Sequence, residues 1–206
     1  MASNWFRSPG FIRLLHSSPD APAVDVYANN MKVASNLSFK DLTGYLRLRS
    51  GRYNIEVFPA GRRMNPVLQE NIVIRSGSIS TASVIGRVRN LNLLAIEDPK
   101  ENPTRDIAYI RAAHLSPNAP AVDIELNGRR VFRNLSYRDV TRHFSVSPGT
   151  YNLSIYIAGT DTRVLEIPNV VLQPGFYYTT FALGLVDEEP PLQTITSIDG
   201  LYRFIS

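Results

Sequence analysis

The chain has 206 residues and a mass of 23.0 kDa, with 44% hydrophobic, 19% charged and 10% aromatic residues and a formal net charge of +4. This globular composition excludes disorder and collagen, and the longest apolar runs are strand-sized, short of the roughly 20 residues that a membrane-spanning helix needs. The absence of cysteine removes disulfides, thiolate metal sites and cysteine nucleophiles together.

Residues 1–10 are expected to form an N-terminal arm. One arginine and no apolar stretch before Pro9 predict no secretory leader. From there the chain is an internal repeat. The segment H-S-S-P-D-A-P-A-V-D-V from His16 returns from His114 as H-L-S-P-N-A-P-A-V-D-I. The same shift of 98 holds without a gap from Phe11/Tyr109 to Gly86/Gly184, with 27 of 76 aligned positions identical. A period this long is a domain rather than a solenoid unit. The expected organisation is therefore a first repeat over 11–98, a charged and proline-interrupted linker over 99–106, a second repeat over 107–199 and a C-terminal tail over 200–206. The last strand recurs three residues out of register, Leu91 to Asp98 against Leu192 to Asp199, so the second copy has a longer final turn.

Within each copy the hydrophobic period is two. In the first copy it predicts strands over Phe11 to His16, Ala23 to Ala28, Met31 to Ala34, Tyr45 to Arg49, Tyr53 to Pro59, Glu70 to Arg75, Ser78 to Gly86 and Leu91 to Glu97. Asn29-Asn30, Ser50-Gly51 and Ser76-Gly77 mark the turns between them, with Asn127-Gly128, Pro148-Gly149 and Pro174-Gly175 in the second copy. Ser38 to Thr43 suits a short helix or a turn, since Ser38 and Asp41 can cap it. Seven or eight short strands per copy predict an all-β protein of two tandem immunoglobulin-like antiparallel sandwiches.

The sharpest motif is H-x-S-P-x-A-P-x-V-D: His16, Ser18, Pro19, Pro22 and Asp25, then His114, Ser116, Pro117, Pro120 and Asp123. Nucleophilic catalysis by its serine and histidine would need a strained turn and an oxyanion hole, and nothing like G-x-S-x-G surrounds Ser18 or Ser116. The structural reading needs less: two prolines stiffen a crossing between strands while Ser, His and Asp bond its backbone. Asp20, Asp25 and Asp41 would suit Ca²⁺ if one end of the sandwich gathered them, although Asn118 replaces Asp20 in the second copy. No metal and no cofactor is assigned. His143 stands where the first copy has Tyr45 and reads as an amphipathic strand residue.

Charge divides the copies. Residues 1–98 hold 12 basic and 7 acidic groups and residues 99–206 hold 10 and 11. Arg47, Arg49 and Arg52 cluster about one hairpin where the second copy has Ser145, Ser147 and Thr150, which suits contact with an anion or a cell-surface polymer. Against Asp187-Glu188-Glu189 this basic face also suits head-to-tail contact between molecules. Without aromatic platforms among the arginines no nucleic-acid partner is expected. The terminal residues Trp5, Phe6, Leu201, Tyr202, Phe204 and Ile205 either cap their own domain or join a neighbour at a sheet edge, the route to a homo-oligomer or polymer.

In the repeated motif, the N-L-S-[FY] that follows and the G-x-Y-N hairpin, residues 11–199 resemble the bacterial domain of unknown function 4397 family. The resemblance implies a secreted or cell-envelope sandwich module, commonly in tandem, with no assigned activity or catalytic residues. With no leader visible, a layer or appendage assembled around a spore by the enclosing cell reconciles surface use with synthesis inside it. The expected function is a non-enzymatic, self-assembling surface protein; the alternative is a monomeric binding module for a glycan, an anionic polymer or a metal ion.

Overall fold

The computed structural model describes residues 8–201. The chain divides after Lys100 into two compact units. In the first, the strands are β1 (Gly10–His16), β2 (Val24–Ala28), β3 (Met31–Leu37), β4 (Leu46–Leu48), β5 (Gly51–Pro59), β6 (Leu68–Ile74), β7 (Ile79–Ile85) and β8 (Asn92–Glu97). In the second they are β9 (Ala108–His114), β10 (Val122–Leu126), β11 (Arg129–Leu135), β12 (Phe144–Val146), β13 (Gly149–Ile157), β14 (Arg163–Leu172), β15 (Phe176–Leu183) and β16 (Gln193–Asp199). The fold is all-β, and each unit is a sandwich of two four-stranded sheets.

Strand order is β4-β1-β7-β8 and β3-β2-β5-β6 in the first unit, repeated as β12-β9-β15-β16 and β11-β10-β13-β14 in the second. The pairing is antiparallel as expected, with one exception in each unit: β1 pairs parallel with β7, and β9 with β15. A parallel pair needs a long crossover rather than a hairpin, so neither turn signals nor periodicity announce it.

Between the sheets of the first unit lie Ile12, Leu14, Val24, Val26, Ile55, Val57, Ala82 and Val84. Their counterparts in the second are Ile110, Ala112, Val122, Ile124, Leu153 and Ile155. Each fully buried aliphatic side chain stabilises its unit by about 1.5–3 kcal/mol before conformational entropy is counted. Both faces of β1 are buried, since Arg13 (3% exposed) and Leu15 (0%) are as enclosed as the core-facing Ile12 and Leu14. Burial on both faces removes the polar alternation from such a strand.

The segment after β3 is a turn and not a helix: Asp41 N donates to Ser38 O at 2.9 Å and Ser38 N to Asp41 Oδ2 at 2.7 Å. It docks on the end of β1, where His16 N donates to Asp41 O and Lys40 N to His16 O.

Candidate functional site

The repeated motif forms the crossing from β1 to β2 and from β9 to β10. His16 donates Nε2–H to the Pro22 carbonyl at 3.1 Å, and His114 does the same to Pro120 at 3.0 Å. A carbonyl only accepts, so this bond places the imidazole proton on Nε2. Both rings are enclosed, and burial lowers both pKa values, outweighing the opposing effects of the proline carbonyl and of Asp41 or Asp139. Ser18 and Ser116 are 0% exposed, and within the described residues their hydroxyls and the histidine Nδ1 atoms make no hydrogen bond. The serine and histidine are thus not joined as a nucleophile and its base. Pro19 is buried and Pro22 exposed, while Pro117 is half-buried and Pro120 exposed.

The motif aspartate holds three segments at once. Asp25 Oδ1 accepts from Asn36 N at 2.9 Å, and Oδ2 accepts from Lys32 Nζ at 2.7 Å and Gly61 N at 3.3 Å. Asp123 repeats this with Asn134 N at 2.8 Å, Gly159 N at 3.2 Å and Arg130 Nη1 at 3.2 Å. Asn36 and Asn134 sit at φ 51° and 53°, at the bulges where β3 and β11 slip against β2 and β10. Asparagine tolerates this left-handed backbone, which accounts for the N of N-L-S. The Lys32 hydrogen bond and the Asn36 and Gly61 N–H groups lower the Asp25 pKa. For Asp123 burial pulls upward, but the Asn134 and Gly159 N–H groups and the Arg130 charge prevail and lower it.

The remaining motif residues are used in the same way. Tyr53 and Tyr151 donate their hydroxyls to the carbonyls of Arg49 and Ser147 across the loop that crosses between the sheets. Asp20 accepts from Val88 N at 2.8 Å, and Asn118 accepts from Val186 N at 2.9 Å, so an amide replaces a carboxylate without loss of the bond. Asp20, Asp25 and Asp41 are therefore engaged separately and do not form the calcium cluster weighed from the sequence. Among the described residues no group of three His, Cys, Asp or Glu is placed to hold a metal.

Sequence reasoning missed a buried polar cluster beneath β1. Arg13 Nε donates to Thr81 Oγ1 at 2.7 Å, Thr81 donates to Asp98 Oδ2 at 2.7 Å, and Tyr45 donates to the same oxygen at 2.7 Å. In the second unit Arg111 donates to Thr179 at 2.7 Å, Thr179 donates to Asp199 Oδ2, and His143 Nε2 lies 3.3 Å from that oxygen. His143 takes the place of the Tyr45 hydroxyl and so has a structural partner, although it lies one residue before β12 and not within a strand as expected. The clue in the sequence was the joint recurrence of Arg13/Arg111, Thr81/Thr179 and Asp98/Asp199 amid apolar strands.

On the outer face of the β3-β2-β5-β6 sheet the Arg63 guanidinium lies 4.3 Å from the Tyr27 ring centroid and donates to Asn30. The second unit reaches a similar result with exchanged residues: Arg130 lies 4.8 Å from the Tyr156 centroid and pairs with Asp161 at 2.7 Å. Each stacked cation ties the loop after the fifth strand to the sheet.

Arg47, Arg49 and Arg52 are exposed about the β4–β5 loop, which crosses from one sheet to the other instead of forming the hairpin expected from the sequence, and none pairs with a carboxylate among the described residues. Of the terminal assembly candidates, Leu201 is 41% exposed, while Trp5, Phe6, Tyr202, Phe204 and Ile205 lie outside the described residues. No described helix is long and apolar enough to cross a membrane.

Fold and loops together define a tandem β-sandwich protein whose shared motif fixes backbone. The family model described as "Domain of unknown function (DUF4397)" matches residues 10–125 and 108–199, and the chain belongs to that family. No curated protein matches it. Among solved structures, it is similar to CBMbc, a family CBM26 module from Eubacterium rectale Amy13K crystallised with maltoheptaose. The identity is 13%, the match covers 92% of this chain and 96% of that one, and the TM-score is 0.27. A likeness that slight leaves the function to be argued from this chain's own residues.

Proposed function

We propose that this chain is a non-catalytic structural subunit that self-associates into a surface layer or fibre. One observation carries the reading: of the polar groups common to both copies, His16/His114 through Nε2, Asp25/Asp123, Asn36/Asn134 and Tyr53/Tyr151 have bonding partners in the protein's own backbone, and the Ser18 and Ser116 hydroxyls are enclosed away from any ligand. Residues that serve two equivalent frameworks leave function to the exposed surfaces, and there the copies differ. The test is sedimentation velocity with negative-stain electron microscopy across a concentration series. Ordered filaments or sheets support the reading; a single monomeric species up to millimolar concentration refutes it.

A second reading is favoured by the three exposed arginines, which pair with no carboxylate among the described residues: a module that binds an anionic polymer or glycan through the β4–β5 loop. Binding to dextran sulfate that is lost on replacing Arg47, Arg49 and Arg52 by Ser, in a protein that stays monomeric, would select it.

A further inference from the structure

We propose that the two domains carry opposite halves of one intermolecular contact. In it the β4–β5 loop of the first domain, with Arg47, Arg49 and Arg52, docks on the β15–β16 connector of the second domain of another copy, with Asp187, Glu188 and Glu189. The proposal rests on the self-association reading above and names the surfaces that perform it.

Both surfaces are exposed. Guanidinium forks match carboxylates in geometry as well as in charge. Val73, opposite Arg52 in register and 60% exposed, adds apolar area beside that arginine. The acidic connector is held in shape: Asn118 accepts from Val186 N and donates to Val186 O and to Glu188 Oε1, while Leu185 N donates to Pro190 O at 3.0 Å. A loop fixed before contact loses less entropy on binding.

The repeat supplies the controls. The β12–β13 loop of the second domain has Ser145, Ser147 and Thr150 in place of the arginines, and the first-domain connector carries Arg87 and Arg89 in place of the acids. Of the four pairings of loop with connector, only first-domain loop with second-domain connector joins opposite charges. Neither half is self-complementary, so each chain offers one half to each of two contacts, which close into a ring of two or more copies or propagate as an open filament.

The test uses the full chain and two variants. The first carries Arg47→Ser, Arg49→Ser and Arg52→Ser, close to what the second copy bears on the same loop. The second carries Asp187→Asn and Glu189→Gln, leaving Glu188 and its Asn118 bond in place. Circular dichroism melts matching the parent confirm folding. Wild type should assemble at about 0.1 M salt and disperse near 1 M, where the screening length falls to about 3 Å. Each variant alone should need at least about tenfold more protein to assemble. Mixed in equal amounts, the two retain one intact half each and should form a heterodimer that grows no further. Wild-type growth with either variant growing equally well, with a mixture that polymerises, or with a mixture that never pairs overturns this contact and leaves self-association standing. A wild type that stays monomeric overturns both.

Discussion

The Asp25 carboxylate accepts the backbone N–H of Asn36 at 2.9 Å, eleven residues along the chain, and Asp123 holds Asn134 in the same way at 2.8 Å. One side chain thereby fixes a bulge and, through Gly61 or Gly159, the turn at the end of β5 or β13. The carboxylate is buried, but its backbone donors lie on exposed residues, Asn36 and Gly61 or Asn134 and Gly159, where water replaces part of each bond. Asp25→Ala and Asp123→Ala should each destabilise their unit by about 1–3 kcal/mol, the worth of hydrogen bonds to a charged group. The sites share no partner, so in the double variant the two losses should add to within about 0.5 kcal/mol. Urea denaturation of the single and double variants measures this, and a harmless Asp25→Ala would refute the role given to the carboxylate.

Arg13 and Asp98 form a buried pair, 4% and 0% exposed at their side chains, joined through Thr81. Removing one member of such a pair costs about 3–5 kcal/mol, because the other charge is left buried. Arg13→Met should show this loss in thermal melts, and adding Asp98→Leu should restore part of it. His143→Tyr should be tolerated, since Tyr45 already serves the same oxygen in the first unit, whereas His143→Ala should not.

Acidification should weaken the fold through His16 and His114. Burial holds their folded pKa values below the ordinary 6.5. The unfolded chain therefore binds protons that the folded chain does not. Stability from these neutral rings is fully present above pH 6.5 and falls as the pH drops, levelling below the folded pKa. The slope is at most about 1.4 kcal/mol per pH unit for each histidine. Denaturation at pH 7.5 and 5.5 should reveal the loss, and the double variant His16→Gln, His114→Gln should show a flatter profile.

Gly184 follows β15 at φ 93°, and a Cβ there would meet Pro191 O at 2.1 Å. Gly184→Ala must strain the backbone and displace the connector that carries Asp187 to Glu189. The expected cost is about 1–3 kcal/mol or more, with a loss of self-association in sedimentation velocity even where the protein remains folded. An unchanged melt and unchanged assembly would contradict both expectations.

Much of this molecule was determined by local chemistry and can be read along the chain. The period of two, the Asn and Gly turns and the shift of 98 residues specify two eight-stranded sandwiches, because alternation reflects one buried face and turns need particular backbone angles. The reuse of His16, Asp25 and Asn36 at 114, 123 and 134 marks them as parts of the framework. Tertiary structure decided what depends on residues distant in sequence. It set the parallel pairing of β1 with β7 and gathered Arg13, Thr81, Asp98 and Tyr45 around one oxygen. It also separated Asp20, Asp25 and Asp41 onto different backbone groups. Ser17 and Ser83 illustrate the difference: they share a 2.6 Å hydrogen bond in the first unit, and Leu115 and Phe181 replace both in the second. Read along the chain these are two unrelated changes; in the fold they are one exchange of a satisfied buried pair for apolar packing, which leaves no polar group stranded.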